Sequence, residues 1–287
     1  MKIISDISCL GYERAGHPES PTRVSGIVTR LQSQSDLALE WMKPEPAGDD
    51  SLWFAHDQEH VDHLDREIDF DPDTPAHPGI ELHARRAVGG ALLAMDQARA
   101  GETAMSILRP PGHHATRASA MGFCYLNQVA TCALVAAEEG LRVAVYDFDV
   151  HHGNGTEDIL FGRAGTGFFS VHQWPCFPGT GRHHRQNCMN WPVVPGARRA
   201  EYRDALWRAF DEMLAFAPDI LCVSAGFDAY RGDPLAQENL EAEDYEAIGR
   251  RLLQSGIPTF AVLEGGYSRD LPDLVMAFLK GLSPSSS

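Results

Sequence analysis

Asp147, Asp149 and His151 alternate in the segment DFDVHH, so an extended strand would present two carboxylates and an imidazole on one side. Such a set can grip one divalent cation, with Asp228 of the distant AGFD segment available as a further oxygen ligand. Two aspartates and a neutral histidine balance a 2+ charge and leave positions open for water and substrate, as a catalytic rather than a structural centre requires. Zinc (Zn2+) is the favoured ion, and the same donors also suit Fe2+ or Co2+. An isolated DxD is more simply a cap or turn for the loop that follows. Here the metal reading gains because Asp228 and the pair His113-His114 also follow strand-like runs.

That histidine pair follows a Pro-Pro-Gly turn in RPPGHHA, a stiff setting suited to positioned proton transfer near neutral pH. Tyr267 follows two glycines in LEGGY, so its phenol can swing into a cleft and donate to a developing oxyanion. Taken alone it would read as a packed core tyrosine. Other histidines look less chemical. His183-His184 in GRHHRQ reads as plain surface, and the i, i+4 pair His56 and His60 in HDQEH as an exposed helix face with no third ligand nearby.

The elements that must position these groups follow from pattern. Apolar runs with a Gly or Pro stop predict buried strands over 105–108, 142–146, 220–224 and 259–263. Helical patterns occupy 126–139, 201–216 and 243–255 between them, and 21–34 and 80–100 before them. The alternation predicts an α/β fold: a three-layer α/β/α sandwich on a largely parallel sheet, with the site at the carboxyl ends of the strands. No repeat or linker interrupts it, so 1–282 reads as a single catalytic domain and 283–287 (SPSSS) as a flexible tail.

Composition narrows the partners. A net charge of −16 leaves no basic stripe to displace counterions from nucleic acid, and favours cationic partners instead. No window has the apolar length of a membrane span, and the N-terminus has no signal-peptide pattern, so a cytoplasmic location without membrane association is expected. The six cysteines include no CxxC pair, which argues against a zinc ribbon or a thioredoxin-type motif.

With these residues assembled, the sequence resembles the histone deacetylase family, most closely its class II members and their bacterial relatives. The resemblance runs through GHPESPTRVSGI, AHDQEHVDHL, DPDTPAHPG, RPPGHHA, MGFCYLN, DFDVHHGNGTEDIL, FPGTG, AGFDAYRGDPL and LEGGY, nearly the whole chain. It implies an arginase-like fold with Asp149, His151 and Asp228 as ligands of a catalytic zinc. It implies His114, oriented by Asn154, as general base and acid, His113 as electrostatic support and Tyr267 as the polariser of the acyl carbonyl. Asp147 would bond His113 and, with Ser170, surround a structural potassium ion (K+).

The resemblance further implies a narrow acyl-lysine tunnel walled by Phe123 and Phe177, thinned by Gly122, rimmed by Asp73 and also including Gly266. Leu235 stands where polyamine-specific relatives carry a glutamate, which favours acyl-lysine in a protein or peptide over a small acylated amine such as acetylpolyamine. Three departures, the short basic segment 181–195 and the residues Tyr230 and Arg231, predict an altered mouth. Bacterial relatives are often homo-oligomers.

Overall fold

The computed structural model describes residues 1–284; most of the expected tail, 285–287, lies outside the described residues. Eight strands form one sheet: β1 (Lys2–Ile4), β2 (Glu40–Met42), β3 (Ala104–Ser106), β4 (Val143–Asp147), β5 (Thr166–Gln173), β6 (Cys188–Val193), β7 (Ile220–Ala225) and β8 (Thr259–Leu263). Their order is β2-β1-β3-β8-β7-β4-β5-β6, and every pairing is parallel. Every residue of β4, β7 and β8 is buried, as expected of apolar, β-branched runs covered on both faces. The four predicted strands are all present, within two residues of their expected starts and ends.

Among the described residues nine α-helices pack around this sheet: α1 (Pro21–Gln32), α2 (Asp49–Leu52), α3 (Gln58–Asp62), α4 (Ile80–Arg99), α5 (Gln128–Glu138), α6 (Asn154–Leu160), α7 (Arg199–Ala215), α8 (Ala242–Gln254) and α9 (Leu271–Gly281). Alternation along β4 separates the layers. Tyr146 points to Phe210 of α7 at 5.6 Å, and Phe148 two residues on meets Tyr245 of α8 and Phe278 of α9. Helices α4 and α5 pack together on the sheet from the other side. The result is the three-layer α/β/α sandwich that the alternation predicted.

Four strands and one long helix were not anticipated. β5 (TGFFSVHQ) is buried throughout, yet Ser170, His172 and Gln173 interrupt the apolar run that pattern reading relies on. β1, β2 and β6 are short or partly exposed, and two of them are the sheet's edges. α9 is mostly apolar because it is buried against α8 and α1, with Asp273 and Lys280 left exposed.

Candidate active site

Five neighbouring strands, β3, β8, β7, β4 and β5, deliver the chemistry-bearing segments from their carboxyl ends. Such ends, at the crevice of an open parallel sheet, are where ligands bind. β4 stops at Asp147, and the backbone then turns, so the even spacing of Asp147, Asp149 and His151 does not put all three together. Asp147 turns to His113, whose Nδ1–H donates to its Oδ2 at 3.1 Å. Asp149, His151 and Asp228 instead form the cluster, their ligand atoms all within 4.8 Å of one another.

The cluster is preorganised by backbone donors. Asp149 Oδ1 accepts the His151 amide at 2.9 Å and Oδ2 the Gly265 amide at 2.7 Å, while Asp228 Oδ1 accepts the Val150 amide at 2.8 Å. His151 Nδ1 lies 3.2 Å from Asp149 Oδ1 and 3.1 Å from Asp228 Oδ2. Burial works against charge on both carboxyls; His113 and His151 nonetheless hold Asp149 far below the usual carboxylate range, whereas burial and Asp149 raise Asp228. Two fully buried carboxylates facing each other need positive charge at their centre. A divalent cation fits that need and that oxygen-and-nitrogen donor set.

The two histidines of the turn are tuned apart. Burial opposes charge on His113, but Asp149 and Asp147 override it and raise the ring to about 10. His114 goes the other way, pushed well below the ordinary histidine range by burial and by His113 and His151. Its Nδ1 bonds Asn154 Oδ1 at 2.8 Å. An amide oxygen only accepts, so Nδ1 carries the proton and Nε2 keeps its lone pair. Divergent neighbours of this kind mark acid–base sites.

A cavity of about 350 Å³ opens over the cluster, lined among others by His114, His151, Phe123, Phe177, Leu235 and Tyr267. Gly122 must be glycine: its φ is +56°, and a Cβ would fall 2.6 Å from His114 and 2.8 Å from Phe177. Phe123 also sits at positive φ, +70°, with its ring 5.6 Å from Tyr267. A bulky residue held there is strained, as wall-forming residues of binding sites often are. Asp73 is exposed at the rim, and His17, Pro18 and Cys176, which pattern reading did not assign to the site, complete the lining.

Other expectations need correction. Gly266 does not line the cavity; at φ +119° its carbonyl turns away and accepts Arg23 Nε at 2.7 Å. Nor do Tyr230, Arg231 or segment 181–195 reach the lining. The Tyr230 hydroxyl donates to Asp270 at 3.0 Å and Arg231 pairs with Glu241 at 3.1 Å, so both are engaged elsewhere. His56 and His60 are not on an exposed face but buried, because their ring nitrogens serve backbone groups of the 116–127 segment. His183 and His184 are exposed as expected.

Buried polar side chains that pattern reading passed over hold the walls. The Arg23 guanidinium, packed 4.8 Å over the Tyr267 ring, reaches the carbonyls of Glu264 and Gly266. His152 bonds Thr180 at 2.7 Å and Glu157 at 3.1 Å, and His172 Nε2 donates to the Gly181 carbonyl at 2.9 Å. These bonds fasten the loop that bears Cys176 and Phe177. The one signal in the sequence was polar residues inside otherwise apolar runs, which points to a buried network without saying what it serves.

A match to the histone deacetylase domain runs over residues 17–282. The chain belongs to the histone deacetylase family. A probable deacetylase of Methanothermobacter thermautotrophicus is 38% identical over 301 residues, covering 98% of this chain and 90% of that protein. Among solved structures, the HDA15 HD domain superposes with a TM-score of 0.92 at 30% identity, covering 99% of this chain and 92% of that one. The acetylpolyamine aminohydrolase of Burkholderia pseudomallei gives 0.87 at 25% identity over 98% of both chains. As a histone deacetylase family member, the protein is a hydrolase of the deacetylase and amidohydrolase type. No helix among the described residues is long and apolar enough to cross a membrane.

Proposed function

We propose that residues 1–282 act as one catalytic domain that hydrolyses the amide of acylated lysine in proteins or peptides. The observation that carries this reading is the convergence of the Asp149–His151–Asp228 cluster with His114 and Tyr267 at one aromatic-walled cavity. Zinc held by Asp149, His151 and Asp228 would supply a Lewis acid that polarises the acyl carbonyl and acidifies water.

The chain's own residues do the rest. His114 Nε2, kept free by the Asn154 bond, takes the proton of the attacking water and returns it to the leaving amine. His113, charged beside Asp147 and Asp149, offsets the negative charge around it. The Tyr267 phenol, held protonated by burial, donates to the carbonyl oxygen as that oxygen becomes negative. Phe123 and Phe177 flank the methylenes of the substrate side chain and exclude water.

A potassium ion fits the neighbouring oxygen set. Asp147 and Ser170 are partners across β4 and β5, and the His172 bond to Gly181 makes its Nδ1 the acceptor of the Ser170 hydroxyl proton. The hydroxyl oxygen is therefore left with lone pairs for a hard cation, which would serve structure rather than chemistry.

Acetylpolyamine hydrolysis is the second reading, favoured by the likeness to the Burkholderia enzyme. Against it, the apolar Leu235 lines the cavity, and among the described residues no acidic one but the rim's Asp73 does. Purified enzyme assayed on an acetyl-lysine peptide and on acetylspermidine decides: faster peptide turnover is expected, and preference for the polyamine would reverse the assignment. Chelation should abolish activity and added zinc restore it. Tyr267→Phe should lose about 100-fold in kcat; an unchanged rate would remove the phenol from the mechanism.

A further inference from the structure

Glu264 directly follows β8 and precedes the two glycines that lead to Tyr267, set back from the reacting groups. Its side chain is fully buried. Oε2 accepts the backbone amides of Gly112 at 2.7 Å and His113 at 3.1 Å, so one oxygen joins the Tyr267 segment to the turn that carries both histidines. The other oxygen, Oε1, is buried without a partner, and so is Oε1 of Gln128. Both side chains abut one residue. A Cβ on Gly112 would fall 1.6 Å from Gln128 Oε1, while the Gln128 amide nitrogen is committed to the Pro110 carbonyl at 2.8 Å. Two buried acceptors with no donor are costly around an ionised carboxylate. A proton on the carboxyl would turn one of these acceptors into a donor.

We propose that Glu264 is a neutral positioning residue: its Oε2 holds the Gly112 and His113 amides, and its protonated Oε1 donates to Gln128, splinting the histidine turn to the Tyr267 loop. The inference rests on the reading of His114 and Tyr267 as partners in one reaction. Every charged or titratable group facing Glu264 bears on its proton. Burial lifts the carboxyl, His113 and the two amides pull it back, and Asp147 lifts it again, leaving it at about 7. Cys124 also senses its charge, and Arg23 of α1 engages its carbonyl. As pH rises through that value the carboxylate forms against the charge of Asp147 and leaves Oε1 a bare acceptor, which loosens the splint.

The test compares the metal-loaded wild type with E264Q, E264D and E264A on whichever amide the wild type hydrolyses faster, across neutral to alkaline pH, with thermal melting alongside. E264D and E264A should lose about 10- to 100-fold in kcat with KM changed less than about threefold, the size expected when a reacting group is displaced by a fraction of an ångström to one ångström. E264Q, whose amide donates to Gln128 without ionising, should restore kcat to within about threefold of wild type and remove the part of the alkaline decline centred near neutrality. Folded E264D with wild-type kcat, or E264Q as impaired as E264A, overturns the proposal. Should E264A not fold, E264D and the pH comparison decide. A separate readout needs no substrate. Infrared difference spectra at mildly acidic pH should show a protonated buried carboxyl that E264Q lacks, and its absence from the wild type overturns the neutral state even if the assigned substrates prove wrong.

Discussion

His113 and His114 form one buried histidine pair and His56 and His60 another, and the two make opposite use of their rings. In the first pair Nδ1 bonds a side chain, Asp147 or Asn154, and Nε2 remains available toward the cluster or the cavity. In the second the bonds go to backbone: His56 donates to the Thr116 carbonyl at 3.0 Å and accepts the Asn127 amide at 2.8 Å, and His60 meets the Tyr125 carbonyl at 2.8 Å. His56, with both nitrogens spent on backbone, has no lone pair left for metal or proton, and His60 commits its Nε2 to a backbone carbonyl. The pair is a clamp, here on the segment that carries Gly122 and Phe123. Spacing alone does not separate these roles; the kind of partner does.

The contrast can be broken or sharpened by measurement. The largest effect belongs to His114→Ala, expected to lower kcat at least about 100-fold while melting stays near that of wild type; an equal loss in folded His56→Ala would erase the distinction. His56→Ala should instead cost about 1–3 kcal/mol in denaturant unfolding, because it strands a buried amide and carbonyl. Its signature is in pH. Burial, helped by His60, holds folded His56 at about 3 against an ordinary 6.5. The unfolded chain therefore takes up a proton that the folded one refuses, and stability should fall as pH drops from 6.5 toward 3. His56→Gln should flatten part of that slope, and parallel curves would rule His56 out as a contributor. The smallest effect is that of exposed His183: its replacement by Ala should change stability by less than about 0.5 kcal/mol and leave kcat within about twofold.

The same contrast explains what pattern reading reached. The strand runs of β4, β7 and β8 were legible because a strand buried on both faces must be apolar along its length. β5 was not, since its hydroxyl and imidazole groups are satisfied inside the fold, by each other and by the Gly181 carbonyl, and so interrupt the apolar run. Asp149, His151 and Asp228 were nameable because metal-ligating residue types follow strands of one sheet. The sorting of Asp147 away from them was not derivable from alternation, because β4 ends at that residue and the backbone turns.

Residue types, their order and the apolar runs between them determined the layer architecture, the identity of the reactive groups and the end of the sheet where they meet. Only the tertiary structure decided which aspartate meets which histidine, that His56 and His60 are buried clamps, that Tyr230 and Arg231 stay away from the mouth, and that Glu264 bridges two loops. Periodicity reports which face of an element is apolar. A polar side chain's role depends on what lies opposite it, and across 34 residues from His113 to Asp147, or 152 from Gly112 to Glu264, that is settled by packing alone.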